Sequence, residues 1–509
     1  MDTDSIIFRA MEDEMKRCMD SLKAEDGTKP YFMDYVIYRY VDDRIESPRG
    51  DKVNGIKYKG KVSLIIGDKM RVKRDWGVDI EELPDEVSYN HIRRELWLAS
   101  EASFMSVLGR SDNGLTRAKE FLADSIPEWP RLPAKVIIEK SALDNYESDL
   151  EMLKARSDTL AAELKKYPDL FEAKTSCDLE YADAYRLTSD GLHSRTSMKD
   201  IFLRSNAKYL SPNGKIFDGG CGDWVFDVSD LLPIDSLVTR LEQSIYRMKH
   251  HKVPSVMKET DYVGPVLYED NSAENELYRN VDFETNIAHY IHSKLDYKDR
   301  TYSKTYQRLG ERVVNKKISV WQLGEASVYN GRHFRNCHKY DADGIRPAMV
   351  ELIRDGVLVN QLAGREPTPI ARESTGCEKL MGPDSRCMTT EYENGLLNIS
   401  FRKTMSRKRL LGKLIKLARK QNLKYAYIVK YDNVVRVNVK TGEQEEVRLR
   451  SYTKPSRLRL LGDIWASKEN SVDYDESIIY PKSVLFPLVE MTIDPKHEER
   501  CGRFAELKH

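Results

Sequence analysis

Two groups of histidine and cysteine residues are the side chains of this sequence best suited to hold a metal ion. His289 and His292 stand three residues apart, a spacing that can place both on one face of a helix. His333, Cys337 and His338 lie together further along the chain. If the fold brings the two groups together, imidazoles and a thiolate can form a zinc site. Histidines in polar stretches more often have surface or interface roles, which is the interpretation favoured here.

Other catalytic motifs are missing from the sequence. There is no Gly-x-Ser-x-Gly nucleophile elbow, and Gly214-Lys215 is followed by Ile216 instead of the serine or threonine of a phosphate-binding loop. The segment Gly219-Gly-Cys-Gly222 is too isolated to indicate a catalytic elbow. Its glycines are expected to let a neighbouring backbone or a ligand approach closely.

A strongly basic amphipathic helix is predicted over Ser406 to Lys420. We expect it to dock on the second domain with its charges in solvent. The alternative is a surface for an acidic partner or a nucleic acid, although no aromatic residues are interleaved for base stacking. The residues of this possible anionic-partner surface are Arg407, Lys408, Arg409, Lys413, Lys416, Arg419 and Lys420.

Length and composition indicate an α+β protein of two domains. A chain of 509 residues exceeds one core, and the boundary is placed in the Lys/His/Pro stretch near residue 255. We expect an N-terminal α+β domain over 1–255 and a β-rich domain over 256–509. Acidic and basic residues balance at 82 each, which does not favour a nucleic-acid or membrane partner. Seven scattered cysteines predict a reducing cytoplasm, or the periplasm if a leader has been removed.

Hydrophobic periodicity predicts the main helices and strands. Helices are expected over Ile6 to Leu22, Tyr89 to Leu108 and Asp235 to Lys249. Aromatic and β-branched residues predict a strand from Pro30 to Tyr40. A leucine stripe from Leu143 to Leu164 predicts one long helix packed on its own sheet, with a coiled coil as the alternative.

The segment from Asp341 to Arg365 predicts a turn, a strand, a tight turn and a second strand. Asp343-Gly344 and Asp355-Gly356 are the hairpin signals within it. This segment resembles one found in the TldD/PmbA family of peptidase-related proteins. Other pieces resemble the family in the same order, namely Met11–Asp20 with Lys29–Tyr35, Glu95–Ser100, Tyr262–Glu269, Leu309–Val313 and Tyr480–Glu490.

The resemblance implies where a zinc site would lie. Zinc-bearing members of that family carry His-Glu-x-x-x-His, and this spacing occurs nowhere in the chain. Aligned on the strand before it, the motif positions are Glu269, Asp270 and Glu274. Three carboxylates would suit magnesium, calcium or manganese better than zinc. We instead expect a turn and an exposed helix start, and Gly462 to Asp475 also lacks the cysteine that the family uses as a further ligand.

The resemblance also implies a function. In such bacterial systems a zinc peptidase pairs with a homologous subunit without zinc, and the pair processes peptides. We expect this chain to be the subunit without zinc, with no catalytic residue and no cofactor of its own. It would form a homodimer, or a heterodimer with a TldD-like peptidase, and hold an unfolded peptide by strand addition. The alternatives are an active metallopeptidase with non-standard zinc ligands and a nucleic-acid-associated regulator acting through the basic helix.

Overall fold

The computed structural model has the predicted α+β fold, with helices packed on two groups of β-sheets. It describes residues 2–69, 71–74, 77–83, 88–109, 127, 129–212, 214, 216–250, 255–256, 261–285, 308–325, 328–335, 338–365, 372–380, 382–383, 390–392, 395–430, 433–448 and 460–492. Among these residues no helix is long and apolar enough to span a bilayer. The helices are α1 Thr3–Ser21, α2 Tyr89–Leu108, α3 Tyr146–Leu164, α4 Ile234–His250, α5 Asn271–Thr285 and α6 Arg407–Lys420, with 3-10 turns at Ala142–Asn145 and Val228–Asp230.

The first half of the chain forms one eight-stranded sheet. Its central strands are long and antiparallel, and their order is β3-β2-β1-β6-β7-β5, with β4 beside β2 and β8 beside β7. The strands are β1 Pro30–Ser47, β2 Lys57–Asp68, β3 Arg71–Arg74, β4 Val78–Leu83, β5 Lys135–Ile138, β6 Leu170–Thr188, β7 Leu192–Leu210 and β8 Ile216–Val225.

Both faces of β1 are buried, against different partners. Met33 and Tyr35 face the core formed with α1 and α2. Val36 and Tyr38 point to the other face and pack with Ala342 from the second half of the chain. This division follows from the strand itself, since successive side chains point to opposite faces. The first sheet is therefore covered by helices on one side and by a loop of the second half on the other.

Helix α3 carries the leucine stripe seen in the sequence. Leu153, Leu160 and Leu164 are buried with residues of β6 and β7 in one core. The structure thus confirms the prediction of one helix packed on its own sheet, and Leu237, Leu241 and Ile245 of α4 are buried in the same core.

The described residues of the second half form two larger sheets and two short hairpins. The eight-stranded sheet has the order β19-β23-β26-β10-β20-β21-β22-β9, and the six-stranded sheet β15-β14-β11-β18-β25-β24. The bounds are β9 Ser255–Val256, β10 Asp261–Glu269, β11 Ile318–Leu323, β12 Val328–Tyr329, β13 Arg332–His333, β14 Met349–Arg354, β15 Val357–Leu358, β16 Glu378–Leu380, β17 Thr390–Tyr392, β18 Leu397–Phe401, β19 Thr404–Met405, β20 Tyr425–Lys430, β21 Asn433–Asn438, β22 Gln444–Arg448, β23 Trp465–Ser467, β24 Asn470–Asp473, β25 Ile478–Pro481 and β26 Ser483–Thr492. The domain boundary at 255/256 falls within β9 and stays a prediction.

These two sheets form layers with helices α5 and α6. Residues of α5 such as Leu277 share a core with both sheets. The opposite face of the eight-stranded sheet is covered by α6, whose Leu410 and Leu414 contact Leu267 of β10. Strand β10 consequently lies between α5 and α6, and its last residue, Glu269, stands where both helices begin.

Only one of the two predicted hairpin turns joins strands. Asp355 and Gly356 have φ values of 46° and 83° and connect β14 to β15, as the sequence predicted. The hairpin expected at Asp343-Gly344 is wrong, because this turn lies in a loop with no strand directly on either side. Gly344 has φ 75° and packs against Ile137 of the first sheet, so contacts between the two halves determine the loop's shape.

Candidate functional site

Glu269 occupies the first position of the aligned motif and is held by two cations. It ends β10 and is only 3% exposed. Arg407 at the start of α6 donates from Nε at 2.6 Å and from Nη2 at 3.1 Å. Lys430, beside Glu269 in the paired strand β20, places Nζ 3.0 Å away. Burial alone would raise the pKa of Glu269, but these cations outweigh it and the pKa is lowered.

Asp270 forms the turn between β10 and α5. Its φ of 53° is in the left-handed region, and its carbonyl accepts bonds from the amides of Ala273 and Glu274. The carboxylate of Asp270 is partly exposed and lies 3.7 Å from Lys482 Nζ. The expected turn and helix start are therefore present.

The expectation that this helix start is exposed is wrong. Glu274 is 6% exposed, and burial raises its pKa to about 8. Asp473 raises this pKa further by its charge and by a side-chain hydrogen bond, and Asp475 and Glu476 act in the same direction. Glu274 is therefore mostly protonated at neutral pH and can donate a hydrogen bond to Asp473.

These residues do not fit a zinc ion. The carboxylate of Glu269 is already bound by Arg407 and Lys430, and Glu274 would have to lose its proton to act as a ligand. Within the part of the chain that the structure describes, no three His, Cys, Asp or Glu residues are arranged to hold a metal ion. In this arrangement two protein cations balance the charge of Glu269, and Glu274 shares a hydrogen bond with Asp473.

The structure describes only two of the histidine and cysteine candidates for a metal site, His333 and His338. His289, His292 and Cys337 lie outside the described residues, so the site proposed for them stays a prediction. His333 places Nδ1 2.9 Å from Asp230, next to the first sheet, and its backbone amide binds the same carboxylate. His338 places Nε2 3.3 Å from the carbonyl of Gly376. Both described histidines thus have structural partners.

The Gly219–Gly222 segment serves close packing. A Cβ on Gly219 would lie 3.0 Å from Ser244 Oγ of α4, and the amide of Gly220 donates to the same hydroxyl at 2.8 Å. Burial raises the pKa of Cys221 to about 11, which keeps its thiol protonated. The expected close approach of a neighbouring backbone is confirmed at Gly220, where a Cβ would overlap the Ser205 carbonyl oxygen of β7.

The basic residues of α6 fall into two groups, those that contact other parts of the chain and those exposed to solvent. Arg407 binds Glu269, Arg419 donates to the carbonyl of Val439, and Lys413 lies 4.0 Å from the ring centroid of Trp465. The remaining basic residues of α6 are exposed and form no ion pair with any described residue. They are Lys408, Arg409, Lys416 and Lys420. The expected docking of α6 on the second half is confirmed.

Asp473 and the two cations on Glu269 were missed from the sequence. Arg407 is 138 residues from Glu269, so no local pattern connects them. Asp473, Asp475 and Glu476 are close together in the sequence, and the charges of all three act on Glu274. This acidic group was the one feature of the sequence that could have indicated a raised pKa at Glu274.

A second buried charge cluster was also missed, and it joins the two halves. Arg186 of β6 binds Asp34 at 2.8 and 2.9 Å and also contacts Asp343 and the carbonyl of Ala342. Arg365 donates to the carbonyl of Pro130 and is enclosed by the rings of Phe32 and Trp129. Its guanidinium also pairs with Asp190. Each arginine has partners from both halves or from distant segments, which sequence spacing does not reveal.

Comparison with solved structures finds the same fold across nearly the whole chain. TldE from Thermococcus kodakarensis matches with a TM-score of 0.57 and 14% identity, covering 95% of this chain and all of that one. A protein from Bacteroides thetaiotaomicron assigned as a modulator of DNA gyrase matches with a TM-score of 0.58 and 12% identity, over 96% of this chain and 98% of that one. A Thermotoga maritima protein with the same assignment gives 0.56 and 13%, over 95% and 100%. No protein-family model and no curated protein sequence matches the chain.

Proposed function

We propose that this chain is a metal-free member of a peptidase system of the TldD/PmbA type, acting as the partner or substrate-positioning subunit of a zinc peptidase. The shared fold with TldE and the gyrase-modulator structures supports the comparison of the motif positions. The observation that carries the proposal is the ion pair at the first position, where Arg407 and Lys430 supply the positive charge next to Glu269.

The rest of the site supports the same function. A hydrolytic site needs an open metal position for the attacking water. Here the two carboxylates are used otherwise, one bound to cations and the other protonated beside Asp473. The residues therefore keep β10, α5 and α6 together, which suits a subunit that contributes shape instead of catalysis.

Peptide binding would use the edge of the six-stranded sheet. Among the described residues, strand β24 is the terminal strand of that sheet, and it ends at Asp473, next to Glu274. An extended peptide that pairs with this edge gains main-chain hydrogen bonds with little demand on its sequence. Such an edge can hold an unfolded segment for a neighbouring zinc subunit.

Metal content and peptide cleavage test this proposal together. The purified chain, incubated with zinc and then desalted, is expected to retain less than about half an equivalent of the metal. It should not cleave an unfolded peptide by itself, and it should form a complex with a zinc-bearing TldD-like peptidase. Chelator-sensitive cleavage by the isolated chain would instead establish the alternative, a metallopeptidase with non-standard ligands. A strictly monomeric mass in the presence of that peptidase would count against the partner role.

A further inference from the structure

The exposed side of α6 is a continuous basic surface. In the sequence no Asp or Glu occurs between Glu393 and Asp432, whereas the whole chain has equal numbers of acidic and basic residues. The basic residues of that interval are Arg402, Lys403, Arg407, Lys408, Arg409, Lys413, Lys416, Arg419, Lys420, Lys424 and Lys430. Positive charge is thus concentrated on α6 and the segments beside it, while the formal net charge of the whole chain is zero.

Five of these residues form what we call the basic face. At 3.6 residues per turn they fall within an arc of about 120° on α6, over a length of about 18 Å. The basic face consists of Lys408, Arg409, Lys416, Arg419 and Lys420, all exposed. The opposite side of the helix, with Leu410, Leu414 and Ala418, is buried on the sheet, so the orientation of the face is fixed.

Gly412 lies in the middle of this face without an internal reason for being glycine. Its φ is not in the left-handed region, and a Cβ there would meet no atom within 4 Å. Glycine destabilises the interior of a helix relative to alanine. Its missing side chain does, however, let another backbone come close to α6 between Lys408 and Lys416.

The electrostatics of a partly buried neighbour agree with a positive potential at this surface. Burial lowers the pKa of Lys413, and the charges of Lys317, Lys416 and Lys420 lower it further, with Asp463 opposing. An acidic ligand on the basic face would relieve this repulsion between like charges.

We propose that the basic face of α6 is a docking surface for an acidic helix of a partner protein, which crosses α6 at Gly412. A small residue at the crossing point lets two helices approach closely. A nucleic acid fits less well, because the face carries no aromatic residue for stacking and the chain as a whole is not basic. This surface lies outside the site at Glu274 and does not depend on the proposed peptidase system.

Binding of a synthetic acidic helix to the full-length chain tests this proposal. The probe is a peptide of about 20 residues with glutamates along one face and alanine at its centre, followed by fluorescence anisotropy. The double variant Lys416→Glu, Lys420→Glu should raise its Kd by at least about tenfold. The control double variant Lys16→Glu, Lys29→Glu changes two exposed lysines elsewhere and should alter the Kd by less than about twofold.

Gly412→Ala separates docking from simple attraction between charges. It should raise the thermal unfolding midpoint by about 2 °C, because alanine favours the helix, yet weaken peptide binding by about threefold or more. A peptide that fails to bind, or that binds the Gly412→Ala variant as tightly as the native chain, would overturn the proposal. The proposal would also be overturned if a duplex DNA of about 20 base pairs displaced the peptide at equal concentration.

Discussion

Glu274→Gln should make the protein more stable at mildly alkaline pH. The carboxyl of Glu274 has a pKa of about 8 in the fold, against an ordinary value of 4.5. Between these two pH values the unfolded chain has lost this proton and the folded chain has kept it, so stability falls as pH rises. At about 1.36 kcal/mol per pKa unit, the shift from 4.5 to about 8 corresponds to a loss of about 5 kcal/mol once the pH exceeds 8. Glutamine keeps a donor for Asp473 and cannot ionise, so this loss disappears.

Urea unfolding at a series of pH values from 5 to 9 measures the effect. The native chain should become less stable by about 1.4 kcal/mol for each pH unit between 5 and 8, beyond the slope of the variant. Glu151→Gln is the matched control, since Glu151 is an exposed glutamate on α3. It should keep the native pH slope. If the native chain and Glu274→Gln have the same slope, Glu274 is ionised in the fold and does not donate a hydrogen bond to Asp473.

Three further substitutions and one control variant test the packing and the ion pairs of the fold. In urea unfolding, Arg186→Met should cost about 3–5 kcal/mol, because it removes the buried cation that pairs with Asp34 and leaves Asp343 with Arg365 alone. The surface pair lost in the control variant Arg204→Met should cost at most about 1 kcal/mol. Gly356→Ala should lower the unfolding midpoint in urea, because φ is 83° and the new Cβ would lie 2.5 Å from the Val314 carbonyl oxygen. Leu414→Ala should destabilise the fold by about 2–5 kcal/mol in urea unfolding, since the Leu414 side chain is fully buried between α6 and the sheet. An unchanged unfolding midpoint would disprove that packing.

The sequence was sufficient for elements whose evidence is local. The helix predicted over Tyr89 to Leu108 has the same bounds in the structure, because its apolar residues follow the helical period throughout. The turn at Asp355-Gly356 was likewise predictable, since both residues favour positive φ. Such features depend on neighbours within a few residues.

The site itself depends on contacts between distant segments, and there the sequence was insufficient. Acidic residues at a helix start usually face solvent, and this expectation failed for Glu269 and Glu274. Arg407 reaches Glu269 only because β10 lies beneath the first turn of α6. Whether a carboxylate is exposed, paired or protonated is determined by this three-dimensional arrangement, which spacing along the chain does not encode.

The two buried faces of β1 make the halves of the protein mutually dependent. A chain cut after the first sheet would keep the helices over Met33 and Tyr35 but would leave Val36, Tyr38 and Tyr40 in water. Exposed apolar surface of this kind promotes self-association. A one-residue shift of β1 would be equally harmful, because it would exchange the two sets of side chains. Strand β1 therefore contributes to the cores of both halves, and the first half is expected to be insoluble when it is expressed without the second.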